Sequence, residues 1–151
     1  MTFHMIGCTG SPGTATATVA AAIAAQPVSA FLYHLGDITY TDKTDPNGLD
    51  QVRLYNEQFL GPSANYRKSI VAIAGNHDGK LSSNYQQSAI HNFLENFCAD
   101  PAHWPSPWTH DSSGTRPAMI QPYYYWRFET PLASFLGLYA NSSNGGILDD
   151  P

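Results

Sequence analysis

At 151 residues and 16.5 kDa, the chain has the length of one domain or a large part of one. Hydrophobic residues make up 42% and charged ones 13%, which excludes disordered, collagen-like and coiled-coil classes. The formal charge of −5 lacks the basic footprint of a nucleic-acid binder, and the longest apolar run, Ala15–Ala25, is too short and too rich in threonine to span a membrane.

The first predicted element is a strand, Phe3–Gly7, ending at Cys8. A helix is predicted over Thr14–Ala25, opened by Ser11 as N-cap with Pro12 at its first position, and stopped by Pro27. The second strand, Phe31–Gly36, ends at Asp37. Asp45-Pro46 repeats the helix opening, and Leu49, Val52, Leu54, Tyr55 and Phe59 supply an apolar face before Gly61-Pro62. A third strand, Ile70–Gly75, runs into Asn76-His77-Asp78, and a helix over Tyr85–Phe97 carries Ile90, Phe93, Leu94 and Phe97 at helical spacing. The proline-rich stretch Cys98–Pro122 reads as a long loop. Tyr123–Glu129 and Ala133–Tyr139 read as two strands linked by Thr130-Pro131 with an uncovered outer face, and the tail Asn141–Pro151 is polar.

Short runs that are apolar on both faces, separated by helices, predict an α/β protein with a buried parallel sheet. In such a sheet the groups just past the strand ends converge on one crevice. Here those groups are Cys8, Asp37 and Asn76-His77-Asp78, with Tyr40 one turn beyond Asp37. Thiolate, carboxylate, amide oxygen, imidazole and phenol can all ligate a metal or work beside one.

Gly36-Asp37-Ile38-Thr39-Tyr40, Gly75-Asn76-His77-Asp78 and Ile6-Gly7-Cys8-Thr9-Gly10 together resemble the calcineurin-like metallophosphoesterases, and within them the purple-acid-phosphatase-like branch. The stretch from Met119-Ile120-Gln121-Pro122 to Gly137-Leu138-Tyr139 is also similar to bacterial members, so the resemblance covers essentially the whole chain. It implies a partial four-layer αββα sandwich over residues 1–151, the N-terminal part of that family's domain. It also implies hydrolysis of a small phosphorylated substrate at a centre of two divalent or trivalent ions (Fe, Mn or Zn). On this resemblance Asp37 bridges both ions, Tyr40 binds the first as a phenolate, and Asn76 binds the second through its amide oxygen. Cys8 stands at the position of a first-ion ligand, and His77 steadies the phosphate and helps protonate the leaving oxygen. Gly10 fits too, since the tyrosine-using branch has glycine where the wider family places a histidine. A pair of cations polarises a phosphoryl oxygen and activates water, and a neutral amide ligand keeps the site positive for an anionic substrate.

Two departures from the pattern stand out. Cys8 replaces an aspartate, and a thiolate favours softer ions. The family's Val-x-x-His and Gly-His-x-His ligand motifs have no counterpart, because only His91, His103 and His110 follow His77. The expectation is therefore a chain truncated before those motifs, with a non-catalytic relic of the fold as the alternative. Neither a nucleic-acid nor a membrane partner is expected, and with no signal peptide either the compartment is the cytoplasm, the favoured expectation, or the chain starts inside a longer precursor. Cys8 and Cys98 are too few for a disulfide framework, and Cys8 reads equally as a ligand or as a small buried hydrophobe. His4 and His34, inside apolar runs, read as satisfied core histidines, and His91 as a surface residue. His103 and His110 belong to the proline-rich loop, while Trp104, Trp108 and Tyr123–Tyr125 read as packing.

Overall fold

A computed structural model describes residues 1–140 apart from 12, 27–28, 81–87, 99–114, 116–117 and 120. Pro12, Pro27, Tyr85, His103, His110, Trp104, Trp108, most of the proline-rich loop and the tail 141–151 therefore lie outside the described residues.

The chain is a mixed α/β protein. Strands β1 (His4–Ile6), β2 (Phe31–His34) and β3 (Ser69–Ala72) form a parallel sheet in the order β1-β2-β3. Leu32 lies opposite His4 and Ile70, and His34 opposite Ile6 and Ala72. Strands β4 (Trp126–Glu129) and β5 (Ser134–Gly137) form a separate antiparallel hairpin. Its link is closed by the Thr130 N–H and hydroxyl, which both donate to the Ala133 carbonyl.

The two faces of β2 meet different partners, as a period of two requires. Leu32 and His34 face the helices, where the His34 ring meets Phe59 edge-on at 5.5 Å. Phe31 and Tyr33 face the hairpin: Phe31 packs edge-on to Phe128 and Phe135 at 4.9 and 5.3 Å, and Tyr33 to Trp126 at 5.3 Å. Helices, parallel sheet and hairpin thus stack in three layers. The far side of β3 is closed by two side chains and a backbone bridge. Gln121 Oε1 accepts the Ala72 N–H at 2.6 Å, the Trp126 indole donates to the Ala72 carbonyl at 2.7 Å, and Met119 bridges Ile70. Strand β1 departs from the expected burial on both faces. It is an edge strand, and Met5 is 56% exposed.

The helices begin later than their opening signals. Helix α1 (Thr14–Ala24) starts after Gly13, whose φ of 141° sets the entry, and no side chain caps it, so Ser11 is not its N-cap. At the second helix, the Asp45 carboxylate accepts the amides of Leu49 and Asp50 and forms a turn instead. Helix α2 (Gln51–Tyr55) is capped by Asp50, which accepts the Arg53 N–H at 3.1 Å. It continues as a π-helical turn over Asn56–Leu60, in which the Gly61 N–H reaches back to the Asn56 carbonyl. Leu54, Tyr55, Phe59 and Leu60 are buried, whereas Leu49, which precedes the helix, and Val52 on its first turn are exposed. Helix α3 (Ala89–Phe97) is capped by Ser88, and its expected apolar stripe is in place, with Phe93 and Phe97 fully buried and stacked at 5.0 Å. Its His91 is half-buried and pairs with Glu95 at 3.3 Å.

His34 is a satisfied core histidine, but the Nδ1 of His4 is buried with no hydrogen-bond partner among the described residues. The outer face of the hairpin leaves Leu136 and Leu138 well exposed, as the sequence predicts. Among the described residues no helix is long and apolar enough to cross a membrane.

Candidate metal centre

The three loops that leave the parallel strands are laced together by their backbones. The Cys8 N–H donates to the Gly36 carbonyl at 2.9 Å, and the Gly10 N–H to the Asp37 carbonyl at 3.1 Å. Gly36, at φ 90°, lies so close to Gly75 that a Cβ on it would collide with the Gly75 backbone, and a Cβ on Gly75 would collide with Asp37. Both glycines are needed for the second and third loops to touch.

Among the described residues, Cys8 and Asp37 are the non-glycine positions with positive φ, each at 54°. Left-handed backbone is uncommon for such residues and concentrates where a fixed side-chain direction serves a site. Here it turns two adjacent strand exits toward each other. The Tyr40 hydroxyl donates to Asp37 Oδ2 at 3.1 Å, and the Cys8 side chain lies close by. The other carboxylate oxygen, Oδ1, accepts the His77 N–H at 3.1 Å, and the His77 and Tyr40 rings meet edge-on at 4.4 Å. Burial holds the Tyr40 phenol above its usual range, with Cys8 and the Asp37 carboxylate adding to the shift. Such a phenol stays protonated until a cation takes the proton's place. Asn76 opens the turn 76–79 and is exposed beside His77.

Two further residues hold the site: Asp78, which the sequence shows only as one of the strand-end groups, and Gln58, which it does not single out. Asp78 is 1% exposed. Its Oδ2 accepts the amides of Asp37 (2.6 Å) and Gly75 (2.9 Å), and its Oδ1 those of Ile38 (2.9 Å) and Thr39 (3.4 Å). Burial pushes its carboxyl up to about 6, against the pull of those amides. Gln58, on the π-helical turn, accepts the Tyr40 N–H and donates to the Tyr40 carbonyl, both at 2.8 Å. The Gly-Asn-His-Asp string contains Asp78, and two carboxylates at neighbouring strand ends are themselves a signal that one is bound by backbone amides. Nothing local in the sequence points to Gln58.

Behind the site, His34 Nδ1 accepts the Gly36 N–H at 3.2 Å, so its Nε2 carries the hydrogen and donates to Thr9 Oγ1 at 2.8 Å. Complete burial keeps this ring neutral, its pKa lowered to about 3.

The structure thus gathers Cys8, Asp37 and His77 around Tyr40, with Asn76 on the adjoining turn. Cys8 is exposed, which removes its reading as a small buried hydrophobe, whereas Cys98 is buried, its thiol pushed up to about 12. Among the described residues no three His, Cys, Asp or Glu side chains gather around one point, so any metal site here also needs Tyr40 and Asn76. The donor chemistry suits a first ion, because phenol and carboxylate already share a hydrogen bond with the thiol close by. A second ion would have Asp37 and Asn76. Comparisons with protein-family models, curated proteins and solved structures find no match.

Proposed function

We propose that the chain is a metal-dependent phosphoesterase that hydrolyses phosphate esters at a dinuclear centre, built on part of an αββα sandwich of the metallo-dependent phosphatase type. The observation that carries this reading is the pair of left-handed residues, Cys8 and Asp37, aimed with Tyr40 into one polar cluster beyond the carboxyl edge of the parallel sheet. Cys8, Asp37 and Tyr40 would hold the first ion, and Asp37 and Asn76 the second. Bound there, the ions supply Lewis acidity toward a phosphoryl oxygen.

The chain's own residues do the rest. Asp78 fixes the Asp37 backbone, and Gln58 fixes that of Tyr40. His77, exposed at the mouth and anchored through its N–H to Asp37, offers an imidazole to the leaving oxygen. A non-catalytic relic of the fold is the second reading, favoured by the thiol of Cys8 at an aspartate position and by the short donor set for a second ion.

Asp37→Asn tests the proposal. Elemental analysis of the unaltered protein should give about two ions per chain, and the variant should lose both its metal and its hydrolysis of a generic aryl phosphate. Metal content and rate that survive the change would refute the assignment. A metal-free, inactive parent chain would favour the relic.

A further inference from the structure

A cavity of about 350 Å³ lies beneath α1. The helix buries none of its own residues, and the small side chains it sets over the sheet, such as Ala15 and Ala20, fall short of Leu32 and Phe59 and leave the space between. Three of the polar side chains in the wall are already used. Thr9 Oγ1 is bonded to His34, the Thr16 hydroxyl donates to the Ser11 carbonyl at 2.9 Å, and the Tyr66 hydroxyl is paired with Ser29 at 3.3 Å. What faces the interior is therefore largely hydrocarbon, and a guest there gains from apolar burial rather than hydrogen bonds. A cavity of about 150 Å³ holds benzene, so this one has room for a fused two-ring aryl group.

The cavity is not isolated from the polar cluster. Cys8 belongs to its wall, its N–H donates to the Gly36 carbonyl next to Asp37, and its side chain lies beside the Tyr40 hydroxyl. An apolar compartment and a candidate phosphate site therefore share a side chain. We propose that the cavity receives the apolar body of the substrate, an aryl group of two-ring size, and that the phosphate it carries is presented at Cys8, Asp37 and Asn76. The placement of the phosphate rests on the functional reading above, whereas the aryl site stands on the cavity alone.

The test uses the full chain and 1-naphthol, followed by its fluorescence with no metal added. Saturable binding with Kd below about 1 mM is expected. Ala20→Phe, which puts a ring into the cavity, should weaken it at least tenfold while the circular dichroism stays unchanged. Should that variant fail to fold, Ala20→Val decides the same point with about a threefold loss. With metal supplied, the phenylalanine variant should lose about tenfold in kcat/KM for 1-naphthyl phosphate and keep its rate on methyl phosphate. No saturable binding at several millimolar, or equal affinity in a folded cavity-filling variant, overturns the proposal. Naphthol that binds as expected to a chain that hydrolyses neither ester upholds the aryl site and refutes the phosphoesterase reading.

Discussion

Asp78 Oδ2 accepts the backbone N–H of Asp37 at 2.6 Å, so the carboxylate closing one strand exit dictates where the carboxylate of the neighbouring exit points. The same side chain takes three more amides, from Ile38, Thr39 and Gly75. Four donors from two loops converge on one buried group. Its loss would leave several of those amides without an acceptor in a place water does not reach.

Asp78→Ala should therefore destabilise the protein by about 3 kcal/mol or more. Asp78→Asn, which keeps one acceptor oxygen but turns an NH2 toward a donor, should fall between that and the parent. Urea unfolding followed by circular dichroism measures both. A loss under about 0.5 kcal/mol for the alanine variant would mean that other groups take over the amides.

Cys8 is a thiol in left-handed backbone where a hard carboxylate would suit Fe or Mn better. Aspartate tolerates that conformation more readily than cysteine does. Cys8→Asp should therefore leave the melting temperature unchanged or raise it slightly, while tightening Mn²⁺ binding by about tenfold or more and weakening the preference for Zn²⁺. Calorimetric titration with each ion is the check, and unchanged curves for both would remove Cys8 from the ligand set.

His34 sets a pH dependence of stability. Its folded pKa, lowered to about 3 by burial, lies below the ordinary 6.5. The unfolded chain therefore binds the extra proton between those values and the folded one does not. Stability contributed by the neutral ring is complete above about pH 6.5 and is lost as the pH falls. Between pH 7 and 5 the loss from this ring should be about 2 kcal/mol, partly offset by Asp78, whose carboxyl, pushed up to about 6, lets the folded chain take up a proton in the same window. Denaturant titrations of the parent and of His34→Gln at the two pH values separate the two, because the variant lacks the His34 loss. A parent that lost no more stability on acidification than the variant would show that His34 carries its proton inside the core.

The three parallel strands and their polar exits were legible because each is a short apolar run closed by a glycine, a pattern that depends on little beyond the run itself. Helix beginnings were less so. Asp45 looks like an opening residue, but its carboxylate takes the amides of Leu49 and Asp50 into a turn and leaves the capping to Asp50. Leu49 fitted an apolar stripe only if the helix began near Asp45, but it starts at Gln51 and leaves Leu49 outside, with Val52 facing solvent. At the site, residue types and strand ends pointed to Asp37, Tyr40 and His77. The pairing of Gln58 with Tyr40 spans 18 positions and has no sequence signal, because it exists only once the π-helical turn has swung the amide inward.

Position 10 is closed to any side chain larger than hydrogen. A Cβ there would strike the Tyr40 ring and would lie 2.7 and 2.8 Å from the backbone of Thr39 and Tyr40. The backbone part of that clash does not depend on which side chain residue 40 carries, so shrinking Tyr40 would not open the space. Substitutions at position 10 should therefore score as damaging in a saturation screen, and a smaller residue at position 40 should not rescue them, which makes the first loop a fixed spacer against which the second is set.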